Sequence, residues 1–100
     1  MIGHIVWWTL LPEVNGQKAS DNAARMKAMV EQLPSKISVI RDFHVSTQII
    51  ESTMKVEVVL FSAFDSLEDL QTYQKHPEHQ KCVDFIRSVA SSRNVIDYIF

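Results

Sequence analysis

Little in this 100-residue sequence bends, bridges or interrupts a chain: it holds two glycines, three prolines and one cysteine. The lone Cys82 cannot build a disulfide framework. So few chain breakers beside 46% hydrophobic residues exclude low-complexity and disordered classes and imply a packed core. The net charge is −2 and no cluster of lysines or arginines occurs. That removes the electrostatic footprint expected of a nucleic-acid binder, and with it the pull towards anionic membranes. The longest apolar runs, Ile5–Trp8 and Val58–Phe61, fall far short of a membrane span. The opening Met1-Ile2-Gly3-His4 has neither the basic nor the apolar stretch of a signal peptide, so the cytoplasm is the expected compartment. No Gly-rich phosphate loop, nucleophile elbow or pair of catalytic carboxylates occurs either, so no cofactor is expected.

What is present fits one domain over residues 1–100. Ile2 to Leu11 is rich in β-branched and aromatic residues and reads as a strand. His4, Val6, Trp8 and Leu10 share one face; Ile5, Trp7, Thr9 and Leu11 share the other. Both faces are largely apolar, so both should be covered. Pro12 and Asn15-Gly16 mark a turn. A helix follows, with Ser20, Asp21 or Asn22 as candidate caps and Ala19, Ala23, Met26, Val30 and Leu33 on one stripe. Pro34 should stop it. Val39 to about Ile50 and Val56 to Phe64 read as the second and third strands. Ser66-Leu67-Glu68-Asp69 is a capping-box start. The helix after it turns Leu67, Leu70 and Tyr73 inward and meets His76-Pro77, where a new helix begins. That third helix aligns His79, Val83, Ile86 and Ala90, with Cys82 and Val89 at the flank. A last strand runs from about Asn94 to Phe100.

The order β-α-β-β-α-(α)-β is the split β-α-β of ferredoxin-like α+β folds, with a four-stranded antiparallel sheet. Its helices cover one sheet face. Ile5, Trp7 and Thr9 of the first strand and Val59, Phe61 and Ala63 of the third would then form an open apolar patch, and such patches mark interfaces. A homodimer closing face to face is expected, with Ile5, Trp7, Val59 and Phe61 in the interface.

Three segments carry a resemblance. Met1-Ile2-Gly3-His4-Ile5-Val6 resembles the opening of the stress-responsive A/B-barrel (Dabb) family, hydrophobic-x-His-hydrophobic-Val. Phe64 to Leu70, continued by Tyr73-Gln74-Lys75-His76-Pro77-Glu78-His79, resembles its most specific segment, and Val95-Ile96-Asp97-Tyr98 its last strand. The likeness spans essentially the whole chain. It implies a dimer in which two sheets close into an α/β barrel, and a family whose functions vary. Some plant members are cofactor-free cyclases of linear polyketides, in which a first-strand histidine and the second histidine of His-Pro-x-His act together. Those positions are His4 and His79 here, and the helix tyrosine of that pocket corresponds to Tyr73. Met26 stands near the place of a further pocket tyrosine, and Trp8 is larger than its counterpart.

His4, His79 and Tyr73 are therefore the candidate catalytic residues, around a small apolar pocket expected to include Val6, Trp8, Met26, Leu60 and Val83. A histidine titrates near neutrality and suits acid/base work. The alternative for each is a buried neutral ring that joins strand to helix. Tyr73 is either an oxyanion donor or a core residue with its hydroxyl at the rim. His76 is expected at the helix junction and His44 in solvent. His76, His79 and Cys82 stand three apart, but a proline breaks the run and no metal site is expected. Cys82 reads as an inert buried thiol. Asp97 is odd for a core-facing strand position, with Arg93 or a dimer partner as its expected counterpart. The functional readings are a dimeric binder of a small hydrophobic molecule, or a cofactor-free cyclase or lyase using His79 as base.

Overall fold

Residues 1–100 are described by a computed structural model, and the sheet is built around its first strand. β1 (Ile2–Leu10) sits inside the order β4-β5-β1-β6, antiparallel to β5 (Val58–Phe64) and β6 (Ala90–Ile99). β4 (Asp42–Ser46) forms one edge and β6 the other. β2 (Glu13–Val14) and β3 (Gln17–Lys18) make a separate small hairpin where the sequence predicts only a turn. Its two central residues, Asn15 and Gly16, have φ of 50° and 79°. Both lie in the left-handed region that two-residue hairpins need, and asparagine and glycine tolerate it best.

Four helices complete the chain: α1 (Ala19–Val30), α2 (Leu33–Lys36), α3 (Leu67–Lys75) and α4 (Pro77–Val89). Each of their contacts with the sheet involves the side where His4, Val6, Trp8 and Leu10 are buried together with Val58, Leu60 and Phe64. α1 contributes Ala23, Met26 and Val30, α3 Leu70 and Tyr73, and α4 Cys82, Ile86 and Val89. No helix is long and apolar enough to cross a membrane.

Local chemistry explains the helix starts. Ser66 is extended (φ −150°) and its hydroxyl accepts from the Asp69 amide at 3.1 Å, the capping geometry its sequence implied. His76 caps α4 through Nδ1, which accepts from the Glu78 amide at 3.1 Å, and Pro77 fills the first position, where a missing N–H costs nothing. α1 differs from expectation. It begins at Ala19 after Lys18 with no side-chain cap, so Ser20, Asp21 and Asn22 lie within the first turn. The Ala19 amide instead donates to the Pro12 carbonyl at 3.0 Å, which the β2–β3 hairpin brings round. α1 also ends at Val30, and Leu33 reaches the core from α2, whose first turn accommodates Pro34.

Other boundaries shift for identifiable reasons. The second strand is only Asp42–Ser46, and Ile50, read as its end, is fully exposed. Leu67 sits in solvent at the first position of α3. Ala90 belongs to β6, because α4 ends at Val89 and the chain pairs at once with Leu10 across a bulge. Ala63, assigned to the open patch, is buried at 1% exposure between Asp42 and Gly3, its neighbours across the sheet.

The remaining sheet face has no helices on it. Ile5, Trp7, Val59 and Phe61 lie there half-buried, beside Ile96 and Tyr98, which β6 leaves exposed. Met54 bends over part of it, accepting from Trp7 Nε1 at 3.2 Å. His44 is exposed on the same side and stacks on Phe61 with centroids 5.2 Å apart.

Candidate functional site

Between the sheet and α4 lies a cavity of about 350 Å³. Its walls are mainly apolar: Val6 and Trp8 from β1, Leu60 from β5, Val30 and Leu33 from the first two helices, Val83 and Ile86 from α4. Into the same lining come His4, Tyr73 and His79. The inner parity of β1 places His4, the inward face of α3 places Tyr73, and the first turn of α4 places His79.

Tyr73 links the two imidazoles. Its ring centroid is 4.4 Å from that of His79 and 6.3 Å, edge-on, from that of His4. Phe64 closes the other side of the tyrosine at 5.1 Å. Each histidine is oriented through Nδ1. His79 Nδ1 lies 3.0 Å from the Gln74 carbonyl, which can only accept, so this nitrogen carries the hydrogen and Nε2 holds the free lone pair. His4 Nδ1 is hydrogen-bonded to the Asp97 carboxylate, which again leaves Nε2 as the unengaged ring atom. Asp97 reaches His4 because β1 and β6 place the two residues opposite each other. The expected Arg93 counterpart is displaced by this register, which sets Arg93 opposite Trp8 instead.

The environment tunes these groups in different directions. Partial burial holds the His79 imidazole below its ordinary value of 6.5, with the Gln74 hydrogen bond opposing and the nearby charges of His4, Arg93 and His76 adding to the depression. His79 is thus neutral at pH 7 and able to accept a proton. Burial drives the Tyr73 phenol well above its usual range, so it stays protonated and can only donate or accept as a hydroxyl. Burial also raises the Cys82 thiol, which keeps it in the unreactive protonated form.

Of the residues expected to line the pocket, Val6, Trp8, Leu60 and Val83 do so. Met26 does not. It is wholly enclosed beneath α1 among core side chains, with no surface left for a ligand. His76 is committed to its cap, and no three of the His, Cys, Asp and Glu side chains converge in an arrangement that could hold a metal. Arg87, which the sequence does not single out, and Arg93, expected only as a counterpart of Asp97, also line the cavity. Inward parity with Asp97 was a signal for Arg93, and the step of four from Val83 a signal for Arg87.

Comparison with known proteins agrees with this architecture. A dimeric protein of unknown function with a ferredoxin-like fold from Bacteroides fragilis superposes with a TM-score of 0.86 at 32% identity, covering 99% of this chain and 95% of its own. A Dabb family protein with a ferredoxin-like fold from Mesorhizobium loti gives 0.73 at 21% identity, covering 99% and 95%. The hydroxynitrile lyase of Passiflora edulis gives 0.81 at 14% identity, covering 99% and 92%; at that identity the likeness is one of fold. No curated protein matches the sequence. The model of the stress responsive A/B barrel domain matches residues 2–100, and the chain belongs to that family, Dabb.

Proposed function

We propose that this protein is a homodimer that binds a small molecule with an apolar body in the cavity between sheet and α4. The observation that carries the reading is the cavity itself, about 350 Å³ with a mainly apolar lining and a few convergent polar groups. Ligand sites generally have this make-up, and a volume within ~300–1,000 Å³. Dimerisation is supported by the uncovered apolar face, where Ile5, Trp7, Val59 and Phe61 adjoin the exposed Ile96 and Tyr98. It is also supported by the dimeric state of the B. fragilis relative. The neutral fluorophore N-phenylnaphthylamine tests the binding. Its emission should rise on mixing with the protein, and Val83→Trp, which fills the cavity, should abolish the rise. No enhancement with the native chain, or an undiminished one with Val83→Trp, would overturn the reading.

A second reading is favoured by one specific observation, the Asp97–His4 pair facing a neutral His79 across Tyr73. This is an arrangement for cofactor-free proton transfer. His79 Nε2 takes a proton from carbon beside a carbonyl, and the bonding pair moves onto the carbonyl oxygen. The Tyr73 hydroxyl donates to the oxyanion, and Asp97 fixes the orientation of the His4 ring. The enolate formed can then close a ring or recapture a proton. Hydrogen–deuterium exchange at the α-carbon of a medium-chain methyl ketone, followed by NMR in D2O, measures the step. Exchange above buffer that falls roughly 10²-fold or more in His79→Ala agrees with a positioned general base. A native protein that gives no exchange removes the catalytic reading and leaves the binding one in place.

A further inference from the structure

The cavity lining contains two guanidinium groups and no carboxylate. Arg87 of α4 and Arg93 of β6 both contribute to it, in a chain whose net charge is −2 and which has twelve acidic residues. Neither arginine forms an ion pair within the chain. The other two arginines are both occupied: Arg41 holds Asp65 at 2.8 Å and Arg25 lies 4.3 Å over the ring of Phe85. Arg93 faces the helices because it pairs with Trp8, whose side chain is inward. Its charge reaches the two neighbouring functional groups, Tyr73 and His79. A strand register and a helix face have thus brought two uncommitted cations to one apolar cavity from different elements. Asp97, the one carboxylate nearby on β6, is held by His4.

We propose that the molecule taken up by this cavity is an organic anion, a monocarboxylic acid with an apolar body. Its carboxylate rests on Arg93 and Arg87, and its body lies along Val6, Trp8, Leu60 and Val83. This rests on the cavity being a binding site, the reading given above. A guanidinium presents paired donors that match a carboxylate in two-point geometry. The apolar walls reward the body, and the absence of any lining acid removes the repulsion that would reject the head group. The same guanidinium chemistry serves an alkyl sulfate, so the carboxylate needs its own arm in the test.

Titration calorimetry with octanoate, octyl sulfate, octanol and octylamine separates these. Octanoate should bind at least tenfold more tightly than octanol and more tightly than octyl sulfate, with octylamine weakest. The octanoate advantage should shrink as sodium chloride is added, since both arginines lie at an exposed rim. In the Arg87→Gln, Arg93→Gln double variant, octanoate and octanol should bind within twofold of one another, with the thermal transition retained as proof of folding. Octanol equal to octanoate in the native protein, or a preference that survives in the double variant, overturns the anion assignment while the cavity remains a binding site. Octyl sulfate binding tightest overturns the carboxylate. If none of the four binds and N-phenylnaphthylamine does not either, the binding reading itself falls.

Discussion

Replacing His79 with alanine asks whether the imidazole is there for stability or for something else. The side chain makes two recognisable contacts. Its Nδ1–H donates to the Gln74 carbonyl at 3.0 Å, and such bonds contribute about 0.5–1.5 kcal/mol net. Its ring lies 4.4 Å from that of Tyr73, and aromatic pairs contribute a similar ~0.5–1.5 kcal/mol. Two effects offset the loss. Gln80 Nε2 also donates to the Gln74 carbonyl, at 2.7 Å, so no acceptor is orphaned. Alanine also extends a helix better than histidine by a few tenths of a kcal/mol. The expected cost is about 1 kcal/mol at neutral pH, which lowers the melting temperature by roughly 4–8 °C in a domain of this size.

The pH dependence follows from the depressed imidazole. Folded His79 binds its proton less readily than unfolded His79, whose ordinary value is 6.5. As pH falls through 6.5 towards the folded-state value, the unfolded chain takes up the proton first and native stability is lost. The alanine variant lacks this loss, so the gap between native and variant should narrow on acidification. Urea unfolding at pH 7.5 and pH 5, at one fixed protein concentration, reads both effects. A cost above about 3 kcal/mol would make His79 a structural keystone, beyond what these contacts supply. A gap that widens at pH 5 would refute the burial argument.

Further outcomes are expected elsewhere. Light scattering should report twice the 11.5 kDa chain mass, and Phe61→Glu, which puts an unpaired charge on the open face, should shift the protein towards monomer; a fully dimeric Phe61→Glu would place the interface on another surface. Gly3→Ala should destabilise by about 1–3 kcal/mol as an overpacked contact, because a Cβ there would lie 2.5 Å from the Tyr98 ring. That penalty should vanish in a Tyr98→Ala background, and its persistence would point to a different clash. Ser66→Ala should cost about 1 kcal/mol by thermal melting through loss of the α3 cap; no change would show that cap to be redundant.

The parts of this fold legible in sequence were those decided locally. The parity of β1, the Ser66 cap and the His76-Pro77 junction are each set by residues within a few positions, and the structure repeats them. Errors fell where distant partners decide. β4 is short because only Asp42–Ser46 finds pairing on β5, whatever the apolar character of Ile49 and Ile50 suggests. Strand register is equally long-range, and it alone determines that Asp97 meets His4 and that Arg93 meets Trp8. The histidines were therefore readable as candidates, whereas the carboxylate that orients one of them was not. Met26 shows the converse limit: helical spacing put it on the inward stripe correctly, but whether an inward residue borders a void or fills one depends on its neighbours.

The two imidazoles are held by different kinds of partner. His79 is fixed by a main-chain carbonyl at the α3–α4 junction, an atom present whatever residue occupies position 74. Mutational drift cannot remove that acceptor without unmaking the junction, so the tautomer of His79 is inherited along with the backbone. His4 depends on one side chain, partly exposed on an edge strand, and a single codon change at Asp97 would release it. The scaffold thus combines one ring that evolution would find hard to reorient with another that it could retune in one step. A lineage built on it can release or re-aim one ring without rebuilding the site.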